Sequence, residues 1–166
     1  MKVFLVMAMT ADGKIAKTDN HFPDWTSKED KKFFHKISEK AGVVIMGDKT
    51  FFTFPRPLKN RLNVVFTLEK NPKKIEGVRW VKGPPEKILT KLEKEGYKKV
   101  ILGGGAFING MFLEKKLVDE IIITIEPKIF GDGLGLFRGD FDVNLKLKKI
   151  EKINKNSVLL RYQVLK

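Results

Sequence analysis

The sequence predicts an α/β protein of three layers: a mostly parallel central sheet, helices on both of its faces, and an antiparallel edge formed by the C-terminal strands. Three observations predict it. Short apolar runs at residues 3–9, 42–46, 62–67, 78–81 and 99–102 alternate with helical or turn-rich stretches, the pattern of a parallel sheet covered by helices. A helix start is written at Thr26-Ser27-Lys28-Glu29, a Thr-x-x-Glu capping box. The β-like segments 120–125, 145–150 and 158–164 are joined without room for crossover helices, so they pair antiparallel at one edge.

In chain order, residues 3–9 follow Met1-Lys2 with no small-residue cleavage signal behind them, so they read as a first strand and not a signal peptide. The first helix carries Phe33, Phe34 and Ile37 on one face, and Asp30, one turn before Phe34, projects from that same side. Two further helices are expected at 85–95 and 106–115, each with an apolar stripe. Pro and Gly are scattered as turn punctuation, no repeat is present, and nothing marks a linker, so residues 1–166 are expected to form a single domain.

Composition narrows the function. Cysteine is absent, which excludes disulfides, thiolate metal sites and thiol nucleophiles. His21 and His35 are the sole imidazoles, so no metal site is expected. No apolar run approaches the roughly 20 residues of a membrane helix, and the expected compartment is the cytoplasm. The formal net charge is +13, which raises a nucleic-acid-binding module as one hypothesis. The basic residues are nevertheless dispersed and interleaved with glutamate, as on the ion-paired surface of a thermophile protein, and no nucleic-acid partner is expected.

Three local features carry chemistry. Asp30 is an acid on the apolar side of a helix, five residues after Trp25; aromatic walls would desolvate it and raise its pKa, suiting a proton donor or an anchor for an amidine-like edge, although an acid in a first helical turn also simply favours the helix dipole. Gly103-Gly104-Gly105 ends an apolar strand and opens a helix, where exposed N–H groups can hold a phosphate, and a plain turn has the same signature. Arg56 and Arg61 flank a turn, placed either to grip an anionic group bidentately or to be solvated. No G-K-[ST] loop, G-x-S-x-G elbow or H-E-x-x-H motif is present.

In order along the chain, these pieces resemble the dihydrofolate-reductase family over almost its whole length. The resemblance rests on Met7-Ala8-Met9, Asp12-Gly13-Lys14-Ile15-Ala16, Trp25 with Asp30, Val44-Ile45-Met46-Gly47 with Thr50, Arg56-Pro57-Leu58, Arg61-Leu62-Asn63-Val64-Val65, Gly103-Gly104-Gly105, Val118-Asp119-Glu120, Thr124 and Gly131-Asp132-Gly133. It is also similar to the reductase domain of riboflavin biosynthesis. Asp12 to Ala16, Leu117 to Glu120 and the segment 127–137 lean to riboflavin, whereas Trp25, Asp30, Phe34, Arg56 and Arg61 lean to folate.

The resemblance implies an NADPH-dependent reductase, first of dihydrofolate to tetrahydrofolate and alternatively of 5-amino-6-(5-phosphoribosylamino)uracil or a related pyrimidine. It implies that Asp30 binds the pterin edge and promotes protonation, that Thr124 orients Asp30, and that Met7, Ala8, Trp25, Phe34, Phe54, Arg56, Leu58 and Arg61 line the substrate site, with Arg61 on a substrate carboxylate. Ala8, Ile15, Gly47, Lys49, Thr50, Thr67, Leu102, Gly103, Gly104, Gly105, Ala106 and Phe107 would lie along the cofactor, and the loop 16–25 would close over the nicotinamide. Asp48, Leu68 and Ala106 depart from the family's polar or basic residues and should weaken the grip on a 2′-phosphate. A homodimer using Phe130, Phe137 and Phe141 is expected.

Overall fold

Alternation along each strand decides how the sheet is covered. In the computed structural model, which describes residues 1–166, β1 (Lys2–Thr10) sends Val3 and Leu5 into one apolar cluster and Val6 into the other, the two-residue period of a strand buried on both faces. β3 (Val43–Gly47) does the same, with Val43 and Ile45 on one side and Val44 and Met46 on the other.

β1 pairs in parallel with β6 (Lys99–Leu102) and β7 (Glu120–Glu126), and the latter register sets Ala8 beside Thr124. β3 pairs in parallel with β6 and β4 (Leu62–Phe66), and β4 with β5 (Val78–Val81). β10 (Val158–Val164) lies antiparallel between β7 and β9 (Leu145–Lys152). The eight-stranded order is β5-β4-β3-β6-β1-β7-β10-β9, the parallel sheet with an antiparallel C-terminal edge that the sequence predicts.

Helices cover both faces. α3 (Pro85–Lys94) and α4 (Ala106–Glu114) bring Leu92, Ile108, Phe112 and Leu113 to the larger cluster. α1 (Lys28–Ala41) lays Phe33, Phe34 and Ile37 on the opposite cluster, joined there by Phe51 of α2 (Asp48–Phe51).

The predicted boundaries move where backbone chemistry overrides pattern. Ser27, not Thr26, caps α1: its hydroxyl accepts the Asp30 N–H at 3.2 Å. Gly42 is no part of β3; at φ 76° it is the left-handed cap that ends α1, its N–H donating to the Ser38 and Glu39 carbonyls, a position that favours glycine. The short α2, the 3-10 turn Pro23–Trp25 and a two-stranded sheet of β2 (Lys14–Ala16) with β8 (Leu134–Gly135) add to the predicted elements. Each is too short for periodicity to announce it.

Candidate active site

Where the parallel strands end, the chain leaves a groove of about 870 Å³, near the upper end of the roughly 300–1,000 Å³ usual for small-molecule sites. Met7 and Ala8 of β1, Ile15 of β2, Trp25, Asp30 and Phe34 line it, as do Phe54 and Leu58 from the segment after α2. Phe34 and Phe54 stack with ring centroids 6.5 Å apart. The open end of a parallel sheet, at the switch in strand order, is the usual ligand position in such folds.

Asp30 sits at the third position of α1 because Ser27 caps the helix there, and only 8% of it is exposed. Burial pushes its carboxyl pKa above the ordinary aspartate value; the hydroxyls of Thr124 and Thr26 and the charge of Lys31 pull the other way, and the negative charge of Glu126 adds to the rise. Thr124 is itself buried and does not line the groove; it meets Asp30 from behind, through the register that pairs it with Ala8. The Trp25 indole N–H is buried without a partner, although the Trp25 ring is held edge-on against Phe130 at 5.0 Å. Trp25 and Asp30 both line the groove, and a carboxyl held toward its neutral form can pair with the amide edge of a heterocycle.

The glycine run forms another wall. A side chain on Gly103 would press against Phe34, one on Gly104 would meet the Met7 thioether at 2.9 Å, and one on Gly105 would meet the Thr50 hydroxyl at 3.0 Å. Gly104 also holds φ at 96°, a conformation costly for any other residue. The run leads into α4, whose first turn has no side-chain cap, so its N–H groups remain available to an anion. Gly47, Lys49, Thr50, Gly103, Gly105, Ala106 and Phe107 line this end of the groove. This cradle fits a dinucleotide pyrophosphate: close backbone approach, free N–H donors and no acidic side chain in the α4 turn.

The loop after β2 lies along the opening. The Asp19 carboxylate pairs with the Lys49 ammonium at 2.5 Å, linking the loop to α2, and His21 packs on Phe130 at 5.3 Å. Asp12 anchors the base of this arrangement, accepting the N–H groups of Phe130 and Gly131.

Several expected site residues lie elsewhere. Arg61 is buried and outside the lining. Its Nε donates to the Lys59 carbonyl at 2.9 Å, and its terminal nitrogens bond the His35 carbonyl at 3.0 Å, the Ser38 hydroxyl and the His35 ring at 3.1 Å. The guanidinium is a clasp between the turn and α1, and four of its five donors are taken. Arg56 is exposed and also outside the lining. Thr67 is buried and donates to Asp48 Oδ2 at 2.7 Å, and Leu102 and Gly104 sit behind the lining. Leu68, noted above as a departure from the family pattern, lines the groove, and so do Lys31, His35 and Arg138, which the sequence reading does not assign to a site; among these three, only Lys31 and His35, four residues apart on one helix face, carry a sequence signal. Phe137 and Phe141 pack edge to face at 5.8 Å and rest on the larger core cluster, so with Phe130 turned to Trp25 they do not form the expected exposed interface.

Fold and groove together define a dihydrofolate-reductase-like reductase, an NAD(P)H-dependent oxidoreductase. The model of the RibD C-terminal domain matches residues 1–159, and the chain belongs to that family. It is 26% identical to the riboflavin biosynthesis protein RibD of Aquifex aeolicus over 95% of this chain and 56% of that protein. It is 30% identical to the dihydrofolate reductase of Buchnera aphidicola over 100% of this chain and 98% of that enzyme. The structure of RibD from Acinetobacter baumannii superposes with a TM-score of 0.84 at 20% identity, covering 99% of this chain and 58% of the other. The chain thus spans little more than half the length of these RibD proteins. No helix is long and apolar enough to cross a membrane.

Proposed function

We propose that the chain reduces 5-amino-6-(5-phosphoribosylamino)uracil or a close pyrimidine relative with NADPH. The observation that carries this reading is the family match across residues 1–159, which favours the riboflavin-type substrate over the folate expected first. The groove agrees with it. Arg61, the residue a folate carboxylate would need, is spent on α1, while Lys31, beside Asp30 on α1, gives a phosphate-bearing ribose a cationic partner at the rim.

When bound along the glycine cradle, the reduced nicotinamide supplies a hydride. Asp30, held toward its protonated form by burial, donates the proton: the C1′H=N bond of the opened ribosylamine becomes CH2–NH, carbon taking the hydride and nitrogen the proton. Trp25 and Asp30 orient the pyrimidine, Thr124 fixes the Asp30 carboxyl, and the loop bearing Asp19 excludes water. The active unit is proposed to be a homodimer joined through the sheet face that exposes Leu147 and Ile150.

A second reading, dihydrofolate reduction, is favoured by the buried Asp30 backed by Thr124. Following NADPH oxidation with each substrate decides between them. A kcat/KM at least 100-fold higher for the ribosylaminouracil is expected; the reverse ranking overturns the proposal, and equal efficiency with NADH overturns its cofactor.

A further inference from the structure

β7 presents Thr124 and Glu126 on one face of the sheet, two residues apart. Thr124 meets Asp30 directly. Glu126, about 6.6 Å further along the strand, is as buried as a core residue, at 3% exposure. Its Oε1 accepts the Ser27 N–H at 2.7 Å, and its Oε2 accepts the Ser157 hydroxyl at 2.6 Å. Ser27 is in turn the cap whose hydroxyl accepts the Asp30 N–H at 3.2 Å. One serine thus bonds the Glu126 carboxylate with its N–H and the Asp30 backbone with its side chain, and Ser157, in the turn just before β10, braces Glu126.

We propose that Glu126 is a positioning residue for Asp30: from the strand side it fixes the turn on which the acid stands, and its buried charge acts on the Asp30 carboxyl. This rests on Asp30 being the proton donor. The two acids divide the labour through their surroundings. Hydrogen bonds from Ser27 and Ser157 and the charge of Lys128 outweigh the cost of burying Glu126 and hold it ionised. Burial and the Glu126 charge outweigh Thr124, Thr26 and Lys31 at Asp30 and hold it toward the neutral form. Two nearby acids whose environments separate their protonation are a recurrent arrangement in acid–base sites.

Glu126→Gln keeps an acceptor for Ser27 and a partner for Ser157 but removes the charge. Two readouts are taken on the full chain: the pH profile of NADPH-dependent reduction of 5-amino-6-(5-phosphoribosylamino)uracil, and the ¹³C carboxyl titration of Asp30 by NMR, which needs no substrate. The midpoint of both is expected to fall, while Glu126→Asp, which keeps the charge, stays near the parent, and Ser157→Ala, which also leaves the charge in place, does not reproduce the fall. Unchanged Asp30 titration in Glu126→Gln overturns the proposal, as does an equal fall in Ser157→Ala. A shifted titration beside full activity in Asp30→Asn instead sinks the assignment of Asp30 as proton donor and leaves the coupling of the two acids standing.

Discussion

The parallel half of the sheet and its antiparallel edge are built to different rules. From β5 across to β1 the strands are covered on both faces and carry apolar side chains inward on each. At the other extreme every residue of β9 is exposed, with lysines at positions 146, 148, 149 and 152. The groove opens on the first region, yet the residues that govern the acid in it, Thr124, Glu126 and Ser157, belong to the seam with the second. The covered half supplies shape and most of the burial, and the seam sets a hydroxyl and a second carboxylate near the acid.

The largest expected effect breaks the chemistry without breaking the fold. Asp30→Asn should lower kcat by roughly 10²–10⁴-fold, the usual worth of a positioned acid. Because the folded-state pKa of Asp30 is raised, the stability tied to its neutral form is present below the unfolded value and is lost as pH rises through the folded one. The asparagine variant should therefore melt above the parent at pH values beyond the Asp30 titration and converge with it in acid. Melting curves at several pH values check the sign.

Stability should separate the two regions next. Phe112, fully buried beneath Phe66, should cost about 3–5 kcal/mol when cut to alanine; Ile150→Ala, on the exposed strand, should stay within about 0.5 kcal/mol in the monomer. Denaturant titrations measure both, and similar losses would erase the contrast between the two regions.

The smallest effect concerns the clasp. Arg61→Ala should destabilise by about 1–3 kcal/mol, because the buried Ser38 hydroxyl and the His35 carbonyl lose their donor. Its KM for the ribosylaminouracil should stay within about twofold; a large rise would return Arg61 to the substrate site.

What was legible in the sequence follows the range of the interactions involved. Strand alternation and helix stripes are local, and they predict the parallel body of the sheet and its antiparallel end but not the strand order. Asp30 was legible for the same reason, since Phe34 lies one helical turn away and marks the face. Glu126 was not: its partners Ser27 and Ser157 lie 99 and 31 residues away, and nothing beside it in the chain foretells either. Arg61 misleads in the opposite way. Its place in a turn suggests solvent or ligand, but α1 passes over it and offers the His35 carbonyl, 26 residues distant. The capping serine is a one-residue slip between two hydroxyl residues that local pattern does not separate.

The outermost strand also governs how copies of this protein can meet. A rim with unpaired backbone groups invites another chain to extend the sheet, but two such rims laid side by side would set rows of ammonium groups against each other. Growth along the hydrogen-bonding direction is thereby discouraged, most strongly in dilute salt. Contact through the side of the strand that exposes Leu147 and Ile150 escapes that repulsion, so the pairing proposed above is the mode of contact this rim opposes least.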